Sequence, residues 1–246
     1  MSNTEHDSAQ PLTAHLLELR ARLLRMVLAV LLIFAGLFAF ANPLYTLVAT
    51  PLLNALPEGS QMIATDVASP FLTPFKLTLV LAVFIAIPYI LFEIWGFIAP
   101  GLFRHEKRLA APLLLLSVLL FYAGIAFAYF VVFPLMFAFF SSAGPIGVSY
   151  TPDIARFLDT VLKLFFAFGI AFEIPIAAIL LIYSGATSAA ALAAKRPYVI
   201  VACFVIGMLL TPPDPISQCL MAVPMWLLFE TGVLCGRLIP RSTPAQ

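Results

Sequence analysis

Two isolated acids in arginine- and lysine-rich segments are the side chains in this sequence best suited to bind a cationic group. Glu18 stands close to Arg20 and Arg22, and Glu106 lies within the basic run FRHEKR at 103–108. A carboxylate binds a guanidinium through two parallel N–H···O bonds. Two interpretations remain open on these residues alone. Glu18 pairs with Arg22 one helical turn later, an interaction worth only tenths of a kcal/mol, or the two acids await the guanidinium groups of a ligand.

A third acid, Glu173, lies inside an apolar segment, two residues before Pro175. A charge at the centre of a bilayer costs about 3 kcal/mol on insertion scales, so this carboxyl must be protonated, paired or facing a wet cavity. It either bonds to a neighbouring helix or forms the polar floor of a groove, and Pro175 is expected to bend the helix beside it. The alternative function that follows is a proton-coupled small-solute transporter with Glu173 as its proton carrier.

The elements that carry these acids are long apolar segments. The chain is 63% hydrophobic and 10% charged, whereas a soluble domain carries roughly 25% charged residues, which excludes a soluble globular protein. We predict an all-α membrane protein, in which a disordered segment 1–12 and an amphipathic helix at 13–25 precede six transmembrane helices. One six-helix domain covers 13–240, and 241–246 form a tail. The predicted spans are 26–41, 74–95, 110–132, 161–183, 197–210 and 216–235.

Span lengths and the positions of several prolines add detail to this prediction. A bilayer core needs roughly 20 helical residues, so the fifth and sixth spans are predicted to be short. The sixth reaches that length only nominally, because Ser217 and Gln218 make its first turn polar and Pro224 interrupts it. The third span continues beyond 132, and Pro134 is expected to kink it. The segment TPPDP at 211–215 predicts a tight hairpin between the last two spans.

The basic residues predict the orientation in the membrane. Ten of the thirteen Lys and Arg residues fall on one side of the predicted spans: Arg20, Arg22, Arg25, Arg104, Lys107, Arg108, Lys195, Arg196, Arg237 and Arg241. Cytoplasmic segments carry such an excess, so both termini are predicted to be cytoplasmic. An even number of spans leads to the same conclusion.

Other polar residues in the spans have ordinary interpretations. Glu93 and Glu230 lie near cytoplasmic ends, and Lys76 and Lys163 near the opposite ends, where each side chain is expected to reach headgroups or water. A further cluster, in which Thr211 and Gln218 are polar, lies where the last two spans meet their hairpin: Met208, Thr211 and Gln218. Such side chains either bond across helices or hold a polar residue of a partner helix.

The sequence contains no motif of a nucleotide-binding or metallopeptidase site. The three histidines lie outside the predicted spans, and the three cysteines lie in apolar segments without metal-ligand spacing. A net charge of +1 gives no indication of nucleic-acid binding. We therefore expect no enzyme active site, no metal and no cofactor, and keep a transport component or a membrane scaffold as the classes to separate.

Several motifs, in order along the chain, resemble those of the TatC family, the large subunit of the twin-arginine protein translocase. They are HLLELRARL at 15–23, MIATD at 62–66, FIAPGL at 97–102 with Glu106, FEIP at 172–175, KRPY at 195–198 and TPPD at 211–214. Each motif is weak alone, but together they are very specific, and the resemblance extends over about 13–240. The loop 187–194 departs from the family pattern because it is Ala-rich where acidic and basic residues are usual.

The resemblance implies a receptor in the cytoplasmic (inner) membrane for folded precursor proteins with an Arg-Arg signal peptide. It implies a multi-copy complex with the single-span subunits TatA and TatB, driven by the proton-motive force. It further implies a concave, glove-like bundle with Glu173 in the concave face.

The resemblance also implies roles for individual residues and favours the ligand-binding interpretation of the two acids. Signal-peptide binding falls to Glu18, Arg20, Phe97 and Glu106. Partner-helix docking falls to Met208, Thr211 and Gln218. Hairpin or structural roles fall to Pro51, Asp66 and Asp214.

Overall fold

The structure, a computed structural model, describes residues 12–56, 61–102, 110–142, 151–210 and 214–238. Helices dominate these ranges: α1 (Leu12–Leu37), α2 (Ala41–Ala55), α3 (Ser69–Leu102), α4 (Ala110–Phe127), α5 (Phe133–Ser142), α6 (Ile154–Ala171), α7 (Ile174–Tyr183), α8 (Ala189–Ala194), α9 (Arg196–Leu210) and α10 (Pro215–Leu238). A 3₁₀ turn at Phe38–Phe40 joins α1 to α2, and a π-helical turn at Ala128–Val132 joins α4 to α5. The predicted disorder of 1–12 and the tail 241–246 fall outside the described residues, except that Leu12 already belongs to α1.

Five helical stretches within the described ranges are long and apolar enough to cross a membrane: Leu16–Asn54, Ser69–Phe97, Ala111–Ser142, Ile154–Tyr183 and Pro215–Arg237. The predicted fifth span is confirmed as short, because α9 has 15 residues and rises only about 22 Å. The prediction of a short sixth span is wrong, because α10 has 24 residues and accommodates Pro224 in its interior. Whether the chain crosses six times stays a prediction.

The N-terminal region is more helical than predicted. The amphipathic segment and the first apolar segment form the single helix α1, and α2 extends beyond the predicted end at residue 41. Pro51 lies inside α2 and not in a hairpin, so of the hairpin or structural roles suggested for it only a structural one remains. Because proline has no N–H, it leaves the Leu47 carbonyl without its helical donor. The Tyr129 hydroxyl donates to that carbonyl over 2.8 Å and so ties α2 to the π-helical turn.

A tyrosine hydroxyl bonded to a carbonyl that proline leaves free also joins α3 to α4. Pro88 lies within α3 and leaves the carbonyl of Phe84, four residues earlier, without an N–H donor. The Tyr122 hydroxyl of α4 donates to the Phe84 oxygen over 3.0 Å. In a bilayer core no water can replace such a partner, so Tyr122 supplies the bond that the proline removes.

Helix irregularities occur close to Pro134 and Pro175, the two prolines at which they were expected. The π-helical turn Ala128–Val132 ends two residues before Pro134. Helix α6 ends at Ala171 and α7 begins at Ile174, so the predicted span 161–183 is interrupted at Phe172 and Glu173, and Pro175 is the second residue of α7. Proline is accepted in a first helical turn because its N–H is not needed there.

Helix packing buries the aromatic and branched side chains of the bundle. Helix α1 packs on α3, α4 on α6, and both α7 and α9 pack on α10. Phe133, Phe168 and Leu77 are fully buried in the core that α3, α5 and α6 share. Helix α4 contacts the backbone of α6 at Gly124, where a Cβ atom would lie against the Phe168 carbonyl oxygen and 2.9 Å from its carbon.

One end of the bundle is held by a short link between two non-helical segments. The N–H of Ile63 donates to the Pro152 carbonyl over 3.1 Å, and the Ile63 carbonyl accepts from Ile154 over 2.9 Å. Asp153 caps α6 through the N–H groups of Ala155 and Arg156 and also accepts from the hydroxyl and N–H of Thr65. These donors lower the pKa of Asp153 to about 2. The backbone carbonyl of Asp66 accepts from the N–H and hydroxyl of Ser69 at the start of α3.

Capping side chains begin α8 and α10. Residues 187–194, predicted as a loop, include the short helix α8, because alanine is the best helix former and the Ser188 hydroxyl accepts from the N–H of Ala191. The carboxylate of Asp214 accepts from the N–H of Ser217 over 2.7 Å, so α10 begins directly after it. The remainder of the predicted hairpin, 211–213, lies outside the described residues.

Candidate functional site: a guanidinium cradle between two helices

Arg22 of α1 binds carboxylates of two different helices at once. Its Nε and Nη2 atoms both donate to Oε1 of Glu18, over 2.9 and 2.6 Å. Its Nη1 atom donates to Oε2 of Glu93 in α3 over 2.8 Å. Arg25, one turn along α1, also contacts the Glu93 carboxylate over 3.3 Å. Two acids and two arginines therefore form one continuous ionic network.

Backbone groups of α3 complete the cradle around Arg22. Its guanidinium donates to the carbonyl oxygens of Glu93 and Gly96, each over 3.3 Å. The Gly96 carbonyl is available because the residue four positions later is Pro100, which has no N–H to offer it. Gly96 also provides the space, since a Cβ atom there would lie 2.7 Å from Nη1 of Arg22. Gly96 thus shapes a guanidinium-binding surface on α3.

The antiparallel pairing of α1 with α3 brings these groups together. At the other end of the pair, Phe34 and Phe38 pack edge-on against the ring of Phe75, with centroids 5.1 and 6.0 Å apart. This contact places the early part of α1 beside the late part of α3. The register of the two apolar helices therefore sets the position of Arg22 opposite Glu93.

Glu93 corrects a sequence-based expectation. It was expected to reach headgroups or water, but it is 2% exposed, and its Oε1 atom accepts from the Tyr89 hydroxyl over 3.0 Å. A buried carboxylate requires partners, and Arg22 and Arg25 provide them. The sequence offered only a partial signal, the spacing of Arg22 and Arg25 three residues apart on one predicted helix, and it did not indicate which acid they would bind.

The residues predicted to bind a signal peptide occupy this end of the α1–α3 pair as far as they are described. Glu18 pairs with Arg22, as the first interpretation predicted, yet its side chain remains 41% exposed. Arg20 is exposed, and Phe97 follows Gly96 on α3 and is half-buried. Glu106 lies outside the described residues. The structure therefore brings Glu18 and Phe97 to one end of the helix pair and gives no position for the second acid.

The chemistry available here is the recognition of guanidinium groups. Both bonds from Arg22 to Glu18 end on Oε1, and the other carboxylate oxygen, Oε2, has no hydrogen bond among the described residues. A second guanidinium arriving from water would find an acceptor already oriented by α1. No proton transfer or covalent step is suggested by this arrangement.

Glu173 lies at the interruption between α6 and α7 and faces α4. Its Oε2 atom is hydrogen-bonded to the hydroxyl of Ser117, which is buried. Its Oε1 atom is buried and has no hydrogen-bond partner among the described residues. Of the two interpretations, the structure shows the bond to a neighbouring helix.

A separate cavity of about 710 Å³ lies between α3, α6, α9 and α10. Its walls are mainly apolar, with charged residues also among the lining side chains: Lys76, Asp159 and Lys163. Lys76 is ion-paired with Asp159, both being about half exposed, so this lysine has a protein partner in addition to any headgroup. Glu173 is not part of the lining described for this cavity.

Two of the predicted partner-docking residues, Met208 and Gln218, lie near the ends of α9 and α10. The side-chain amide of Gln218 donates to the Phe204 carbonyl over 3.1 Å, a bond across the two helices. Met208 is 51% exposed on α9. Thr211 lies outside the described residues. At the opposite end of the same helix pair, Arg196 binds Glu230 in bidentate fashion, with Nη2 and Oε2 2.9 Å apart, so Glu230 has a protein partner where headgroup contact was expected.

Comparison with known proteins places this architecture in a family. The chain matches the family described as TatC, Sec-independent protein translocase protein, over residues 14–224. It is 63% identical over 242 residues to the Sec-independent protein translocase protein TatC of Azotobacter chroococcum, covering 98% of this chain and 95% of the relative. It is 55% identical over 231 residues to the protein of the same name in Escherichia coli, covering 94% and 90%.

Solved structures agree. A crystal structure of the twin-arginine translocase receptor TatC superposes with a TM-score of 0.80 at 39% identity, covering 91% of this chain and 98% of the other. A second crystal structure of that receptor, in the detergent DDM, gives 0.81 at 38% identity, covering 90% and 99%. With this identity over nearly the whole length and a matching fold, the chain belongs to the TatC family of Sec-independent protein translocases.

Proposed function

We propose that this chain is the receptor subunit of a twin-arginine translocase, and that it binds the paired arginines of a signal peptide at the cytoplasmic end of α1 and α3. Glu18 and Glu106 accept the two guanidinium groups, and Arg20 and Phe97 contribute to the same surface. The observation that carries this proposal is the carboxylate of Glu18, which already binds one guanidinium, that of Arg22, and is still 41% exposed at its side chain.

The chemistry of the surrounding surface supports a site for arginine. The adjoining end of α3 already holds one guanidinium, that of Arg22, with a carboxylate and two backbone carbonyls. Glu106 follows Leu102, the last residue of α3, by only four positions in sequence. Two carboxylates near one helix end fit a ligand with two neighbouring guanidinium groups better than a single cation.

We further propose six spans with both termini in the cytoplasm of a bacterial inner membrane. The excess of Lys and Arg at one set of helix ends supports this orientation. The short α9 pairs with α10 and is proposed as a docking place for single-span subunits of the TatA and TatB type, through Met208, Thr211 and Gln218. Transport is proposed to draw on the proton-motive force within a multi-copy complex.

The test is a binding measurement on the full-length chain with a signal peptide that carries Arg-Arg. Glu18→Ala and Glu106→Ala are each expected to weaken binding about ten- to a hundredfold, because a charge-assisted pair contributes roughly 1.5–3 kcal/mol. A Lys-Lys peptide serves as the ligand control. Asp159→Ala serves as the protein control, since it removes a half-exposed acid from the other end of the helices.

Two results would defeat the proposal. One is site-specific crosslinking of the Arg-Arg peptide to the Glu18→Ala, Glu106→Ala double variant at the level of the unaltered protein. The other is topology mapping that places residues 18 and 106 on opposite faces of the bilayer, because one signal peptide could not then reach both acids.

A further inference from the structure

Arg22 occupies the carboxylate that the proposed receptor offers to its ligand. We propose that Arg22 is an internal competitor for Glu18, and that a guanidinium ligand binds by exchange while Arg22 withdraws onto Glu93 and the Gly96 carbonyl. This inference rests on the proposed function, because it concerns the same carboxylate and the same class of ligand.

The hydrogen bonds of Arg22 divide into two groups. Toward Glu18, Nε and Nη2 share the single acceptor Oε1, over 2.9 and 2.6 Å. Toward α3, Nη1 reaches the Glu93 carboxylate over 2.8 Å and its carbonyl over 3.3 Å, and Nη2 reaches the Gly96 carbonyl over 3.3 Å. If Arg22 released Glu18, its bonds to α3 would keep the guanidinium paired. The guanidinium of Arg22 therefore remains hydrogen-bonded to α3 when it releases Glu18.

The exposure of the two acids decides which one Arg22 releases. The side chain of Glu93 is 3% exposed and that of Glu18 is 41% exposed. Removing a partner from a buried carboxylate is strongly unfavourable, whereas water replaces a partner at an exposed one. The exchange consequently occurs at Glu18, and Glu93 keeps Arg22 throughout.

An exchange also keeps the number of charge-assisted hydrogen bonds to Glu18. Two carboxylates and two arginines make up the network of Glu18, Arg22, Arg25 and Glu93. A guanidinium that takes over Glu18 restores two bonds of the kind that Arg22 gives up. A lysine ammonium is a compact charge and cannot match this planar, bidentate geometry. Arg22 thus makes the site discriminate against lysine, because a weaker donor does not compensate for the loss.

Variants of the same cradle are expected to change affinity in opposite directions. Glu93→Gln removes the charge that draws Arg22 away, so Arg22 stays on Glu18 and an Arg-Arg peptide binds about two- to tenfold more weakly. In the double variant Arg22→Gln, Glu93→Gln, the competitor and the buried charge disappear together, and the peptide binds about two- to tenfold more tightly. If Arg22 served only to hold the helices, both variants would weaken binding.

The measurement is fluorescence anisotropy of a labelled Arg-Arg signal peptide on the full-length chain in nanodiscs, with a Lys-Lys peptide in parallel. The double variant should also narrow the preference for Arg-Arg over Lys-Lys. Arg22→Lys provides a second route, because it keeps a cation beside Glu93 but loses the bidentate hold on Glu18, so it too should tighten Arg-Arg binding. Thermal unfolding of each variant shows that the protein remains folded.

The outcomes separate this inference from the proposed function. If Glu18→Gln weakens binding while neither the double variant nor Arg22→Lys tightens it, Arg22 is not a competitor and the inference is overturned alone. If Glu18→Gln leaves Arg-Arg binding unchanged, the receptor site itself is misplaced and both fall. Opposite signs for Glu93→Gln and the double variant would support the exchange.

Discussion

Replacing Tyr122 with phenylalanine should destabilise the bundle by a predictable amount. The change keeps the ring and removes only the hydroxyl that donates to the Phe84 carbonyl over 3.0 Å. Phe84 is 3% exposed, and Pro88 cannot supply the missing donor, so the carbonyl is left unpaired in an apolar environment. An unpaired group of this kind costs about 1–3 kcal/mol, but hydrogen bonds between membrane helices average only ~0.6. We expect a loss of about 1 kcal/mol.

Because Pro88 is what leaves the Phe84 carbonyl without a helical donor, a double-mutant cycle of Tyr122 and Pro88 tests this prediction. In a Pro88→Ala background the alanine N–H returns to the Phe84 carbonyl, so Tyr122→Phe should then have little effect. Pro88 is exposed, and its replacement removes little buried contact. The assay is thermal unfolding in nanodiscs, where 1 kcal/mol corresponds to about 2–4 °C for a chain of this size. Tyr198→Phe is the matched control, since Tyr198 is 77% exposed.

Additive effects of the Tyr122 and Pro88 substitutions on stability would refute this reasoning. If Tyr122→Phe lowers the melting temperature equally in the unaltered chain and in the Pro88→Ala background, the hydroxyl is not compensating for the proline. Equal effects of Tyr122→Phe and Tyr198→Phe would lead to the same conclusion.

Two further predictions concern stability at other positions. Because folding lowers the pKa of Asp153 from 3.8 to about 2, its ionised form stabilises the fold above about pH 5 and this contribution is lost as the pH falls toward 2. Asp153→Asn should flatten that acid dependence in melting curves recorded from about pH 2 to pH 6, and an unchanged curve would exclude Asp153 as its source. Gly124→Ala should cost about 1–3 kcal/mol, because its Cβ would press on the backbone of Phe168 and separate α4 from α6. Gly36→Ala, with nothing within 4 Å of its Cβ, should be neutral or slightly stabilising in the same melts.

Much of the helical framework could be predicted from hydropathy and proline positions. Long apolar runs produced the helices because backbone groups must pair internally in a bilayer. Pro175 was expected to bend the fourth span, and the structure shows an interruption of the helix beside it. The length of α10 was misjudged because Pro224 was treated as a break, whereas the helix continues through it.

Helix α2 could not be predicted in the same way. Its sequence mixes Asn and Thr with apolar residues and contains Pro51. Taken alone, such a sequence predicts a loop. In the structure Val48, Ala49 and Leu52 are buried, and α2 packs on α3 and α5. Tertiary packing outweighs the weak local preference here.

Some features of the candidate site could likewise be predicted from the sequence, and others could not. The pairing of Glu18 with Arg22 follows from their separation of four residues and needed no structure. The role of Glu93 depends on which helix lies beside α1 and in which register, and neither is written in the local sequence. The free carbonyl of Gly96 could have been read from Pro100, but its acceptance of Arg22 could not.

The tyrosine bonds to proline-freed carbonyls also bear on the order in which the chain is assembled during synthesis. The Phe84 carbonyl emerges from the ribosome 38 residues ahead of Tyr122, and the Leu47 carbonyl 82 residues ahead of Tyr129. Until those tyrosines arrive, water or the insertion machinery must supply the missing donors, because lipid tails cannot. The nascent α3 is therefore expected to linger at the insertion site until α4 joins it, and a chain truncated before residue 122 should remain bound there.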